Sequence, residues 1–135
     1  MRTWIYNLVK NIAGMAAIVG DRVYSSTGVE DNDVPDRPFL MVHMGLEQPP
    51  LGMRVPEARA QEVPFDVVVH DEPGSMLSID QACVLLKTAL PAAAPAVVGG
   101  MSVYECRWED TSGDGYDDHF KTVTRRVSFR LMTRR

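Results

Sequence analysis

From residue 103 to residue 132 the chain alternates apolar and polar side chains through two long runs. Between them lies an acidic, glycine-bearing segment, Asp110-Thr-Ser-Gly-Asp-Gly-Tyr-Asp-Asp118. Period-two alternation puts neighbouring side chains on opposite faces of an extended chain, and glycine among aspartates supplies turn geometry. The stretch therefore predicts two long antiparallel strands, 101–109 and 119–132. In the second, Val123, Val127, Phe129 and Leu131 share a face with Arg125, while Arg126, Ser128 and Arg130 face away. One face so apolar needs a covering layer, so the hairpin demands helices packed on it.

Charge divides along the same stretch. Residues 105–118 hold six acids (Glu105, Glu109, Asp110, Asp114, Asp117 and Asp118) against one base, Arg107. Residues 119–135 hold six bases (Lys121, Arg125, Arg126, Arg130, Arg134 and Arg135) and no acid. The whole chain is at −4. A nucleic-acid reader normally carries a net basic domain with exposed aromatic residues among its bases, whereas this chain is net acidic and its Arg-rich strand lacks interleaved exposed aromatics. An acidic segment beside a basic strand instead predicts a contact between the acidic turn of one subunit and the basic strand of the next.

The rest of the chain supplies the covering layer. Ile5, Leu8, Val9, Ile12 and Ala16 recur at the spacing of one helical face, which predicts a helix over 3–17 with Thr3 as N-cap. Gly20-Asp21 ends it and a short strand, 22–25, follows. Residues 26–37 are turn formers and charges, hence a solvated loop. A strand over 39–46 is apolar on both sides, as a strand covered on both faces would be. Three prolines keep 48–56 from regular structure and leave Leu51 and Met53 exposed on a long loop. A strand over 59–70 alternates Val63, Phe65, Val67 and Val69 against Glu62, Asp66 and Val68, with Pro64 marking a bulge or a sheet edge. Ser78-Ile-Asp-Gln81 fits a capping box for a helix whose stripe is Ile79, Ala82, Cys83, Leu86, Ala89 and Leu90, stopped by Pro91. The order α-β-β-β-α-β-β predicts an α+β fold: a mostly antiparallel sheet of about five strands with two helices on it, all in a single domain spanning 1–135.

Searching for chemistry gives bland answers. Asp110, Ser112, Asp114, Gly115 and Asp118 occupy positions 1, 3, 5, 6 and 9 of a calcium loop, but the bidentate glutamate required at position 12 is Lys121, and the flanks are strands. His43, His70 and His119 have no metal-ligand spacing with Cys83 or Cys106, which read as buried free thiols. Asp71 and Glu72 are adjacent and so point opposite ways on a strand. No nucleophile motif or phosphate loop is present. The expectation is a non-enzyme with no cofactor and no metal. The longest apolar stretch, 89–101, is broken by prolines and paired glycines and falls short of the ~20 residues a membrane span needs. The first residues do not read as a signal peptide, so a reducing cytoplasm is the expected place of folding.

Five segments carry a resemblance: VGDRVYSS (19–26), DRPFLMVHMGLE (36–47), RAQEVPFDVVVHDEPG (59–74), SIDQACVLLKTAL (78–90) and VYECRWEDTSGDGYDDHFKTVTRRVSFRLM (103–132). In this order the chain resembles the tail-terminator, or tail-completion, proteins of long-tailed, siphovirus-like bacteriophages. The resemblance spans nearly the whole chain and rests on element order, since the family has no sharp motif. It implies a virion structural protein that forms a hexameric ring on the head-proximal end of the tail tube, ends tube polymerisation and offers the head-tail joining surface. It implies as partners further copies of the chain, the major tail tube protein and the connector or neck proteins, with DNA passing through the lumen unread. Asp110, Asp114, Asp117, Asp118, Arg125, Arg126 and Arg130 are then candidate subunit or lumen contacts. Asp31, Asp33, Leu51, Met53 and Arg54 are candidate contacts with neighbouring rings. Two other readings stay open: a head-side neck adaptor, and a cytoplasmic binding domain acting as monomer or dimer.

Overall fold

The computed structural model describes residues 1–25, 35–45, 60–74 and 76–134. Its spine is the C-terminal strand. Thirteen residues, Thr122–Arg134 (β7), lie between two neighbours of the sheet. On one side runs Ala60–Asp71 (β3), in unbroken antiparallel register from Ala60 opposite Arg134 to Asp71 opposite Val123. On the other side run Met101–Thr111 (β5) and the short Gly115–Asp117 (β6). Phe39–Met44 (β2) pairs antiparallel with β3, Val23–Ser25 (β1) pairs parallel with β2, and Ala96–Val98 (β4) closes the far edge on β5. The order is β1-β2-β3-β7-β5-β4, with β6 on β7. This is the expected α+β fold with a mostly antiparallel sheet. The five expected strands are present, and β4 and β6, three residues each, add to them.

One face of the sheet is covered. Arg2–Lys10 (α1), Ala16–Val19 (α2) and Leu77–Ala89 (α3) bury Ile5, Val9, Val19, Ile79, Ala82, Cys83 and Leu86 against Val63, Phe65, Val67, Val127, Phe129 and Leu131. Phe65 and Phe129 stack at 5.3 Å across the β3–β7 pair, so the centre of the core is a cross-strand aromatic pair. Strand β2 is covered on both sides, as its composition predicts. Leu40 and Val42 join the main core, while Phe39 and Met41 pack with Phe120 in a second, smaller cluster on the opposite face.

Four local expectations need correction. The first helix stops at Lys10 instead of continuing to 17: Asn11 already leaves helical geometry (φ −97°, ψ 9°), and the left-handed Gly14 (φ +89°) keeps α1 from running on into α2. The apolar period survives because the connecting turn still delivers Ile12 and Met15 to the core, whereas Ala16 is exposed. Thr3 lies inside α1, whose N-cap is Met1. The capping box is not formed either: α3 begins at Leu77 with Met76 as N-cap, so Ser78 is already helical, and no side-chain cap bond is made. Finally, Pro64 causes no bulge. Its carbonyl accepts the Gly45 N–H at 2.8 Å, which places its missing donor on the β2 side, just past the last paired residue Met44. Antiparallel residues direct N–H and C=O to the same neighbour, so no ladder bond to β7 is lost.

Candidate functional site

The acidic segment is a two-step connection, longer and more structured than a single turn. Strand β5 continues to Thr111, and Ser112 then locks to Arg126 twice. Its N–H donates to the Arg126 carbonyl at 2.8 Å, and its Oγ accepts the Arg126 N–H at 2.9 Å. The chain returns to β7 as β6 before the final turn, in which Asp117 Oδ1 accepts the Phe120 N–H at 2.8 Å. Asp110 likewise accepts from its neighbour, the Thr111 N–H, at 2.8 Å. These carboxylates shape the loop through its own backbone. Among the described residues no group of three or more His, Cys, Asp or Glu is arranged to hold a metal ion.

Two of the candidate arginines are held inside the subunit. Arg125 points to the helical face, where its Nε and Nη2 donate to Asp114 Oδ1 at 3.2 and 2.6 Å and its Nη1 donates to Asp80 on α3. The hydrogen bonds to Asp114 and Asp80 raise its pKa further above the ordinary guanidinium range. On the open face of the sheet, Arg130 Nη1 donates to Glu62 Oε2 at 2.5 Å, and its Nε lies 3.2 Å from Glu109 Oε1. The Glu62 bond, then the nearby Glu109 charge, hold Arg130 charged against the opposing effect of burial. Arg107 also reaches Glu109, at 3.2 Å, giving a chain of alternating charge across β3, β7 and β5. So the structure brings Asp114 and Arg125 together within one chain. It leaves Asp110, Asp118 and the Arg126 side chain on the exposed surface, apart from that pair. Asp31, Asp33, Leu51, Met53 and Arg54 lie outside the described residues.

Two of the histidines, His43 and His70, and both cysteines are quenched. His70 is 2% exposed, stacks on Phe39 at 4.4 Å, and bonds through Nδ1 to Thr122 Oγ1 at 2.8 Å. Burial lowers its pKa to about 4 despite the pull of Asp117, so it is neutral at pH 7. His43 is lowered for the same first reason. Burial pushes Cys106 up to about 12 and raises Cys83 as well, so both are thiols of low reactivity.

Two apolar surfaces stand out, and neither was singled out from the sequence. An open groove of about 510 Å³ runs between α2 and α3, lined by Gly14, Ala17, Ile18, Val84 and Leu85 with Asp80 and Gln81 at its rim. Val84 is 61% exposed there. On the far edge of the sheet, Val97 of β4 is 76% exposed. Val84 falls off the buried stripe of α3, and Val97 sits in a run too short to show a period. Their signal lay in misplaced apolar residues, which periodicity does not score.

No protein-family model matches the chain. A search of curated proteins returned no match. Solved structures do match. A chain from the virion of a native gene transfer agent particle superposes with a TM-score of 0.72 at 17% identity, covering 97% of this chain and 92% of that one. A second solved chain, which carries no functional name, superposes with a TM-score of 0.66 at 14% identity, covering 98% and 94%. The protein thus has the same fold, end to end, as a chain of a gene transfer agent virion, and at these identities the likeness is one of fold.

Proposed function

We propose that the protein is a virion structural subunit that forms a ring, hexameric as in the family it resembles, at the head-proximal end of a phage-like tail. There it ends tube polymerisation and presents the surface that joins the head. The observation that carries this reading is the shared fold over 97% of the chain with a virion chain of a gene transfer agent particle. Surface chemistry supports it. A ring subunit contacts its two neighbours through different patches, and this chain exposes apolar side chains at several separated places, among them Val84 on α3 and Val97 on β4. The quenched histidines and thiols, together with the ion-paired carboxylates, also fit a subunit that works by contact and not by catalysis.

In this reading the partners are further copies of the chain, the major tail tube protein and the neck or connector proteins, with DNA passing through the lumen. Asp110, Asp117 and Asp118 belong to the lumen or the subunit seam, where negative charge keeps DNA from adhering. Arg126, with its side chain exposed, is the basic-strand residue left to meet an acidic neighbour. Labelling intact particles with an antibody to this chain tests the assignment. One cluster of label at the head–tail junction supports it; label along the tail, on the head shell or absent from particles rejects it.

A further inference from the structure

Residues 88–104 form a run of seventeen positions without a single charged side chain, in a protein in which 24% of residues are charged. The run contains β4 and its turn into β5, and it lies on an outer edge of the sheet. Exposed edge strands are normally blunted by lysine or another charge, and this one instead presents Val97 at 76% exposure beside exposed Pro95. The groove between α2 and α3 is its counterpart. Its wall from Gly14 to Ile18 comes from a second uncharged run, 11–20, and its one charged lining residue, Asp80, is already paired with Arg125.

We infer that the two surfaces meet between copies: the β4 edge of one subunit, led by Val97, seats in the α2–α3 groove of the next. The groove holds about 510 Å³, room for several aliphatic side chains. Neither surface carries an unpaired charge, since Asp80 at the groove rim is held by Arg125, so closing them together strands no lone ion. The geometry is head-to-tail. The groove lies in the helical layer that packs on β1, β3 and β7, and Val97 lies on the opposite sheet edge from β1. A contact between unlike patches of one chain repeats from copy to copy, and where its rotation closes it makes a ring. The inference rests on the ring reading and names its seam.

Cysteine cross-linking tests it, with the wild type as control for the buried native thiols. The double variant V84C/V97C, oxidised mildly in solution and in tails assembled in complementing lysates, is expected to give a covalent ladder ending at the ring's copy number. V84C alone and V97C alone are expected to give none, and the two mixed are expected to give cross-linked dimers. Val97→Asp and the groove-filling Ala17→Trp change exposed positions, so each is expected to stay folded by circular dichroism while the ring is lost. A wild-type ring whose double variant gives no ladder, or V97C linking to itself, overturns the seam and leaves the ring reading intact. A wild type that is monomeric in both settings overturns both.

Discussion

Arg125 and Asp114 are eleven residues apart and meet at 2.6 Å, closing the link between β5 and β6 onto β7. The same guanidinium grips Asp80, so one side chain ties the acidic connection to the start of α3. Both carboxylates are more than half exposed, which keeps the value of the contact small although Arg125 itself is only 19% exposed. A double-mutant cycle with R125A and D114A should give a coupling of about 0.5–1 kcal/mol, falling as salt is raised. Chemical denaturation at low and high salt checks this, and a coupling near zero in both means that the pair does not fix the loop.

Gly45 is required by contact. A Cβ there would lie 2.6 Å from Pro64 Cγ and 3.1 Å from the Pro64 carbonyl oxygen. A proline ring cannot swing away, so Gly45→Ala should cost roughly 1–3 kcal/mol of unfolding free energy, read from the denaturation midpoint. An unchanged midpoint would show that β2 and β3 separate more easily at this end than the Gly45–Pro64 hydrogen bond implies.

The buried His70 makes stability depend on pH. Its folded pKa, about 4, lies below the ordinary 6.5, so the unfolded chain binds the extra proton between these values. Its contribution is therefore complete above about pH 6.5 and is lost as the pH falls towards about 4. His43, also lowered, acts with the same sign. In NMR the His70 ring signals should stay at their neutral positions down to about pH 5, and His70→Phe should flatten the acid limb of the stability curve. A His70 midpoint near the ordinary value would contradict the buried, Phe39-stacked geometry.

Both cysteines should resist alkylation in the native protein at about pH 8 and react fully once it is denatured, because burial holds Cys83 and Cys106 as thiols. Mass spectrometry after a timed iodoacetamide pulse reads this directly. Rapid labelling of either one would mean that α3 or β5 opens readily from the sheet.

Much of the architecture was legible because it is written in periodicity. The alternation of Val63, Phe65, Val67 and Val69 and that of Val127, Phe129 and Leu131 fix β3 and β7, and the Ile79–Leu86 stripe fixes α3. What escaped has physical causes. The turn through Asn11 and Gly14 breaks the expected first helix without breaking its apolar rhythm, since Ile12 and Met15 still reach the core from it. Strands of three residues, such as β4 and β6, are too short for any period. The charge split along the C-terminal third was visible, but its internal pairing was not. Arg130 finds Glu62 across 68 residues, and Arg125 finds Asp80 across 45, contacts set by sheet register and helix placement. The long connections that carry Asp31, Asp33, Leu51, Met53 and Arg54 lie outside the described residues, so those expectations stand as proposals.

The central claim is that this subunit ends a growing tail tube. Its most direct test is the length distribution of tails, by negative-stain imaging, in a phage lysate that lacks this protein, with and without the purified chain added back. The account predicts overlong, headless tubes without it, and normal, head-bearing tails when the chain is restored. Tails of normal length already joined to heads would contradict it, and tails of normal length that only fail to join would make the protein a head-side adaptor.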